Sequence, residues 1–499
     1  MTENEQMKVI SNNLFGRLDI YATSDEITAD NVIEELNSAL PYHVQNLLQE
    51  DFLYWYRRNV QPILNRHKEV RPEIMNICQV PIPEEIVTFK NGYFLTQPCT
   101  YISRREGVQD KVDKLNEFLY RSYKAEADDK IVDWFHTVGK GVLYVEPDRG
   151  NDPETPVHCF ALDPRSAFVV YSLRPGNEPI MGVNMVVSDG KARFDVFTRD
   201  TVYHMSGTAT GRMMTSQVNH GFLATAVSID NMEPNPLGLI PIIEYRYNSV
   251  NMGAFEGAIP MIDSLSLIQS NRIDGIEQFI QSLAVAVNCD FDDGVTANDI
   301  RKAGMIRFKS VNENKAEFKI LSEQLDQSQT QVLVDWIYEQ ILRECAMPTT
   351  TKGGRSTSDT GAAILARDGW FNSDCSARNC ADQFKQSNRQ FDRILVEILR
   401  RRGLLDISLS DFELNIVRNE TANIQSKAQA FNTMLASGMH PELAAGKSGI
   451  SNDPVADMKM SAPYLKLRWG DPNKPTEQPT TTITESDNFN GENETGGAV

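Results

Sequence analysis

Three stretches of this chain carry side chains whose types and spacing suggest chemistry. The first is Gly446-Lys447-Ser448, the closing triplet of a phosphate-cradling loop. Such a loop needs a second glycine five residues before Gly446, where Pro441 stands, and a strand in front, where a helical segment is read. Nucleotide binding is therefore not expected there. The second is Asp290, Asp292, Asp293 and Gly294, which opens like a calcium loop. Counted from Asp290, Val295 replaces the sixth-place glycine and Arg301 the closing glutamate, so the reading is an exposed acidic turn. The third is TTTKGGRSTSDT (residues 349–360), where Lys352 and Arg355 sit among threonines, serines and two adjacent glycines. By itself it reads as a solvated loop with two incidental cations. The seven histidines are dispersed, with no HExxH pattern, and no nucleophile elbow or GxGxxG turn is present. The expectation is a protein without catalytic residues, metal or cofactor.

Those stretches sit in a region, roughly 255–403, that must position them. Residues 255–287 read as one helix of about 45 Å, with Ile259, Ile262, Leu265, Ile268, Ile273, Ile276, Ile280 and Leu283 at helical spacing. An insert follows at 288–325, with a short strand read over Met305–Val311 and the cations Arg301, Lys302, Arg307 and Lys309 in it. A second helix at 326–347 ends against Pro348. After the polar loop, Ser358 or Asp359 caps a long helix running to about Arg402.

Ahead of this region the pattern predicts two helices, about 30–40 and 43–66. Extended segments over Val80–Tyr101 follow, then one helix over Val108–His136. From Val142 to Tyr247 the period shifts toward two and predicts a mostly antiparallel β region, with turns at Asp163-Pro164, Pro175-Gly176-Asn177 and Asp189-Gly190. After Gly403 come a strand in DFELNIVRN, a helix over Asn419–Ser437 and further short helices. From about Gly470 the composition is that of a disordered tail. The fold class expected is α+β, mainly helical.

The net charge of −19 argues against a broad basic face that grips nucleic acid, though not against a surface past which DNA slides. No stretch of eighteen apolar residues and no secretory start is present, which predicts a soluble chain that does not span a membrane. Seven scattered cysteines without a CxxC pair read as reduced packing thiols.

The order of parts resembles the portal proteins of tailed double-stranded-DNA bacteriophages, siphophage type. The likeness is carried by LYWYRRNVQPILNR (Leu53–Arg66), IVTFKNGYFLTQPCTY (Ile86–Tyr101), ALDPRSAFVVYS (Ala161–Ser172), NPLGLIPIIEYRYN (Asn235–Asn248) and FEGAIPMIDSLSLIQSNRIDGIEQF (Phe255–Phe279). It implies a ring-forming portal fold: flexible N-terminus 1–29, mixed α/β wing 30–250, stem helix 251–287 and small α/β clip 288–325. A second stem helix 326–347, tunnel loop 348–360, long wing helix 361–403, helical crown 404–469 and disordered tail 470–499 complete it.

The resemblance further implies a homo-oligomer of about twelve copies at a capsid vertex of the virion, assembled in the host cytoplasm. Double-stranded DNA would pass through it without sequence preference. Its partners would be the terminase large subunit, head-completion or adaptor proteins, and the major capsid and scaffold proteins. Thr349, Thr350, Thr351, Lys352, Gly353, Gly354, Arg355 and Ser356 would line the channel, the two cations making weak, movable phosphate contacts. Arg301, Lys302, Arg307 and Lys309 would touch DNA or a partner, or else guard a solvated strand edge. The competing readings are a nucleotide-driven packaging motor, against which the missing phosphate loop speaks, and a cytosolic helical scaffold protein that forms no ring.

Overall fold

The computed structural model describes residues 16–69, 72–105, 107–150, 152–188, 191–210, 223–280, 283–287, 289–290, 309–310, 317–321, 327–349, 369–418, 424–451 and 453–469. The chain divides into two compact units, Met1–Ala422 and Asn423–Val499.

The first unit begins with a two-residue strand β1 (Ile20–Tyr21) and a helix α1 (Val32–Arg57). The sequence predicts a break at Pro41, yet α1 runs through it. A proline inside a helix costs one backbone hydrogen bond. Here Leu36, Ala39, Leu40, His43, Asn46 and Leu47 form one buried face spanning both sides of it, and packing overrides the breaker. The helix also ends nine residues earlier than expected, at Arg57, and only a short 3-10 turn (Pro62–Asn65) follows. Residues Ile82–Phe94, expected to be extended, form helix α2. Pro83 lies in its first turn, where a missing N–H is harmless, and Ile82, Ile86, Val87, Lys90, Tyr93 and Phe94 repeat at helical spacing on its buried side. Strand β2 is Thr100–Ser103. The single helix expected over 108–136 is two, α3 (Gln109–Arg121) and α4 (Lys124–Val138), because Tyr123 turns left-handed between them (φ 58°).

The β region is antiparallel as expected. It comprises β3 (Lys140–Pro147), β4 (Val157–Leu162), β5 (Ala167–Tyr171), β6 (Pro179–Ser188), β7 (Lys191–Phe197), β8 (Thr201–Thr210), β9 (Leu223–Pro234) and β10 (Ile242–Arg246). One sheet has the order β1-β5-β6-β7-β8-β9, with only β1–β5 parallel; a second has the order β10-β3-β4. Strand β5 shows how they stack. Phe168 and Val170 join Leu36 and Leu40 of α1 in one core, while Ala167, Val169 and Tyr171 join Val142, Ile240 and Ile242 in another. All five residues of β5 are buried, as a strand covered on both faces must be. Pro175-Gly176-Asn177 turns as predicted, with φ 109° and 46° at its last two residues, and the Asp189-Gly190 turn lies outside the described residues.

Beyond β10, a 3-10 turn (Glu256–Ala258) leads into helix α5 (Ile259–Ile280). The helix stops short of Val287: Leu283–Val287 is strand β11, paired antiparallel with β14 (Glu317–Leu321). The sequence LAVAV alternates valine and alanine, which suits a strand once a partner is at hand. Cys289–Asp290 (β12) pairs with Lys309–Ser310 (β13), so only part of the strand read over 305–311 is described. Helix α6 (Gln327–Glu344) and the long helix α7 (Trp370–Arg401) follow. Strand β15 (Phe412–Asn415) returns to pair with β2, Leu414 opposite Tyr101. The cap assigned to Ser358 or Asp359 lies outside the described residues.

The second unit contains α8 (Ile424–Ala436), α9 (Pro441–Ser448) and α10 (Pro454–Trp469), the last carrying Pro463 internally.

Candidate channel and partner-facing elements

Helices α5 and α6 form an antiparallel hairpin. Glu344, at the end of α6, has Oε1 3.5 Å from where a Cβ on Gly257 would stand. At the other end Arg272 Nη1 donates to Gln331 Oε1 at 3.0 Å. The base of the hairpin is apolar. Ile259, Ile262 and Leu265 pack with Val334, Ile337, Ile341 and Leu342, and with Leu53 and Tyr56 of α1 and Ile86 and Val87 of α2. Tyr56 is fully buried and donates to Asp263 Oδ1 at 2.7 Å. Burial, and then the neighbouring carboxylate, push the Tyr56 hydroxyl up, while burial raises Asp263 against the pull of that hydrogen bond.

The 3-10 turn ahead of α5 is fixed by buried charge. Arg17 pairs with Glu256, both side chains fully out of solvent, and Arg17 Nη1 donates to Val138 O at 3.2 Å. Gly253 N donates to the second carboxylate oxygen of Glu256 at 2.8 Å. Nearby, Lys140 Nζ lies 3.3 Å from Glu50 Oε1 and 3.5 Å from Glu244 Oε1. Burial disfavours the charge on Lys140, but the two glutamates outweigh it; burial raises the Glu50 carboxyl against Lys140 and Arg17.

Further along α5, Ser266, Ser270, Asp274 and Glu277 hold the loop of residues 58–80. Asp274 accepts from Arg66 Nη2 (2.7 Å), Lys68 Nζ (3.2 Å), Asn76 N (2.7 Å) and Asn76 Nδ2 (3.1 Å). Ser270 Oγ accepts from Cys78 N at 2.9 Å, and Asn76 Nδ2 donates to Glu277 Oε2 at 2.7 Å. Burial raises the Asp274 carboxyl, yet the Asn76 and Arg66 donors outweigh it and hold it below the usual carboxylate value. The sequence reading missed this polar site. Its signal is the i, i+4, i+8 repeat of Ser266, Ser270 and Asp274 on a helix read only for its apolar stripe.

Of the cations expected in the insert, Lys309 stands opposite Asp290 in the β12–β13 register, while Arg301, Lys302 and Arg307 lie outside the described residues. Of the loop residues expected to line a channel, Thr349 is buried. Thr350, Thr351, Lys352, Gly353, Gly354, Arg355 and Ser356 lie outside the described residues. The two ends of that loop are described, and they meet. Ser373 Oγ, in the first turn of α7, donates to Ala346 O at 2.8 Å. Gly369, at φ 80°, would place a Cβ 3.8 Å from Met347 O. Met347 is buried in the hairpin core, and Trp370 packs against Phe89 and Tyr93 of α2 at ring separations of 6.1 and 6.2 Å. The described residues on either side, ending at Thr349 and resuming at Gly369, are therefore held together at one point.

Gly446-Lys447-Ser448 forms the last turn of α9, the wrong end of a helix for an anion, since the free N–H groups lie at the start. Among the described residues no group of three or more His, Cys, Asp or Glu is placed to hold a metal ion. His136 and His43 are core residues: burial holds His136 well below its ordinary value, and His43 stacks on Phe168 at 4.2 Å. Among the described residues no helix is long and apolar enough to cross a membrane.

No curated protein matches the chain. Among solved structures, a chain from the "neck of empty GTA particle computed with C6 symmetry" aligns with a TM-score of 0.42 and 10% identity, covering 74% of this chain and 90% of that one. A chain from the "virion of native gene transfer agent (GTA) particle" aligns at 0.38 and 11%, with the same coverage. The model of one family, "Phage portal protein, SPP1 Gp6-like", matches residues 45–456, and the chain, matched over most of its length, belongs to that phage portal protein family.

Proposed function

We propose that the protein is the portal subunit of a tailed-phage head: about twelve identical copies close into a ring at one capsid vertex. The ring's channel passes DNA during packaging and ejection. In this reading the α5–α6 hairpin is the stem, the β11–β14 and β12–β13 pairs belong to the clip, residues 348–360 are the tunnel loop, and residues 404–469 form the crown. The clip receives the terminase large subunit during packaging and head-completion proteins afterwards, while the outer parts meet capsid and scaffold proteins. Assembly takes place in the host cytoplasm, and the finished ring resides in the virion.

The observation that carries the reading is the hairpin itself. Its base is packed into the wing core, but further out Ile273, Ile276, Val332, Leu333 and Trp336 are left exposed. A monomer gains nothing from that apolar surface, whereas a neighbouring copy covers it. Lys352 and Arg355, on a glycine-rich backbone with clamped ends, supply weak phosphate contacts that let DNA slide. An acidic chain repeated around a hole adds little adhesion to them.

Native mass of the purified full-length chain, with negative-stain imaging of the same sample, tests this. A closed ring near twelve subunits with a central hole is the expected result. A monomer or dimer at micromolar concentration overturns it, and ATP hydrolysis by the chain alone would transfer support to the motor reading.

A further inference from the structure

Two apolar surfaces lie on different sides of the stem hairpin. One is the outer face of α6, where Val332, Leu333 and Trp336 leave 69%, 46% and 57% of their surfaces exposed. Their i, i+1, i+4 spacing makes them neighbours on one helix face, while Val334, Ile337 and Ile341 point into the core. The other is the loop of residues 58–80. It doubles back on itself: Gln61 Nε2 donates to Val80 O (3.1 Å), Arg66 Nη1 to Asn76 O (2.6 Å) and Lys68 Nζ to Ile74 O (3.1 Å). Ile63 and Ile74 turn inward, leaving Leu64, Met75 and Ile77 exposed at 44%, 39% and 40%. Asp274 and its neighbours hold this loop on one face of α5, whereas α6 is met through Arg272 on another.

We propose that the Val332–Leu333–Trp336 face of one copy packs against the Leu64–Met75–Ile77 face of the next. This deepens the ring reading and rests on it. Two unlike apolar surfaces on one module suit a head-to-tail contact, because each copy offers a donor face and an acceptor face and the chain of contacts closes on itself. A self-complementary dimer would use a single face twice. Trp336 is the anchor, a large flat side chain of the kind that dominates interface energetics, and Met75 is an adaptable surface for it.

The test places a photo-cross-linking benzophenone amino acid at position 336 of the full-length chain and irradiates the assembled sample. The expected result is a ladder of covalent multimers in which position 336 is joined to a peptide within residues 59–80. Adding Met75→Asp and Ile77→Asp should cut the ladder's yield at least tenfold. Because all three positions are exposed, the thermal melt of the subunit should not change. Links from 336 to α6 of another copy would mean a symmetric contact and would overturn the inference. Links elsewhere, or no links while native mass still reports a ring, overturn it and leave the ring standing. A monomeric native mass for the unmodified chain brings down both.

Discussion

Asp274→Asn separates the stability of the 58–80 loop from that of the body it rests on. In the native protein both carboxylate oxygens face only donors: Arg66 and Lys68 on one, the Asn76 backbone and side-chain N–H groups on the other. The substitution keeps the shape and replaces one acceptor oxygen with an NH2 group, so a donor confronts donors. Asp274 and Arg66 are nearly buried, with 4% and 8% of their side chains exposed, and breaking such a pair costs about 3–5 kcal/mol. The loop carries little apolar burial beyond Ile63 and Ile74, so the loss should appear as local opening rather than global unfolding. Hydrogen exchange over residues 59–80 should speed up by at least about a hundredfold at pH 7, while α1 and the six-stranded sheet stay protected. The sign with pH follows from the lowered carboxyl: its stabilisation is present above the ordinary aspartate value of 3.8 and is lost as pH falls through its still lower folded value. The difference between the variant and the native protein should therefore be full at pH 7 and shrink below about pH 4. Unchanged exchange over 59–80 at pH 7 would refute the argument, as would uniform loss of protection throughout the chain.

Three further outcomes follow from buried charge and close backbone approach. Asp392, bonded to Tyr101 and Asn388, is pushed up to about 6 by burial. It therefore costs stability as pH rises from its ordinary 3.8 to that value, by at most about 3 kcal/mol. Asp392→Asn should raise the denaturation midpoint at pH 8 and leave it nearly unchanged at pH 3.5, and equal shifts at both would sink the assignment. Lys140→Met leaves Glu50 and Glu244 without their shared cation and should lower unfolding free energy by about 3–5 kcal/mol at pH 7. The deficit should be smaller at pH 5 because Glu50 takes up a proton readily, and a thermal melt at the two pH values checks it. Gly139→Ala sets a Cβ 2.0 Å from Asn251 O at a residue with φ 91°, so it should cost at least about 2 kcal/mol by urea denaturation. A neutral result would mean that the 139–251 approach is loose.

The parts legible in sequence were those governed by local periodicity or by the order of segments. The β region, the two helices of the hairpin and the long helix to Arg401 follow from repeats of two and of three to four residues. The errors share one cause: a local signal overruled by packing or pairing. Pro41 reads as a breaker until Leu36 and Leu47 are seen on one buried face. Pro83 reads as punctuation in an extended segment until it becomes the first turn of α2. Leu283–Val287 reads as helix because its spacing continues that of α5, and only the distant Glu317–Leu321 makes it a strand. The candidate site divides similarly. The cations and glycines of the 349–360 loop were visible as residue types, but the closure of its ends through Ser373, Ala346 and Gly369 depends on contacts between separate helices that no spacing encodes.

That closure and the charges beneath the hairpin bear on how the α5–α6 hairpin is held to the rest of the first unit. Arg17 belongs to the N-terminal segment, Glu50 to α1, Lys140 to β3, Glu244 to β10 and Glu256 to the turn ahead of α5, so five separate elements converge on one buried cluster. Apolar packing tolerates small sliding of one element on another. A buried ion pair does not, because a displaced partner leaves a charge uncompensated in low dielectric. At the same base of the hairpin, the Ser373 bond ties the end of α6 to the start of α7. The hairpin is thus fixed where its chain enters and where it leaves by directional contacts, while its outer length shows apolar residues and the Asp274 loop.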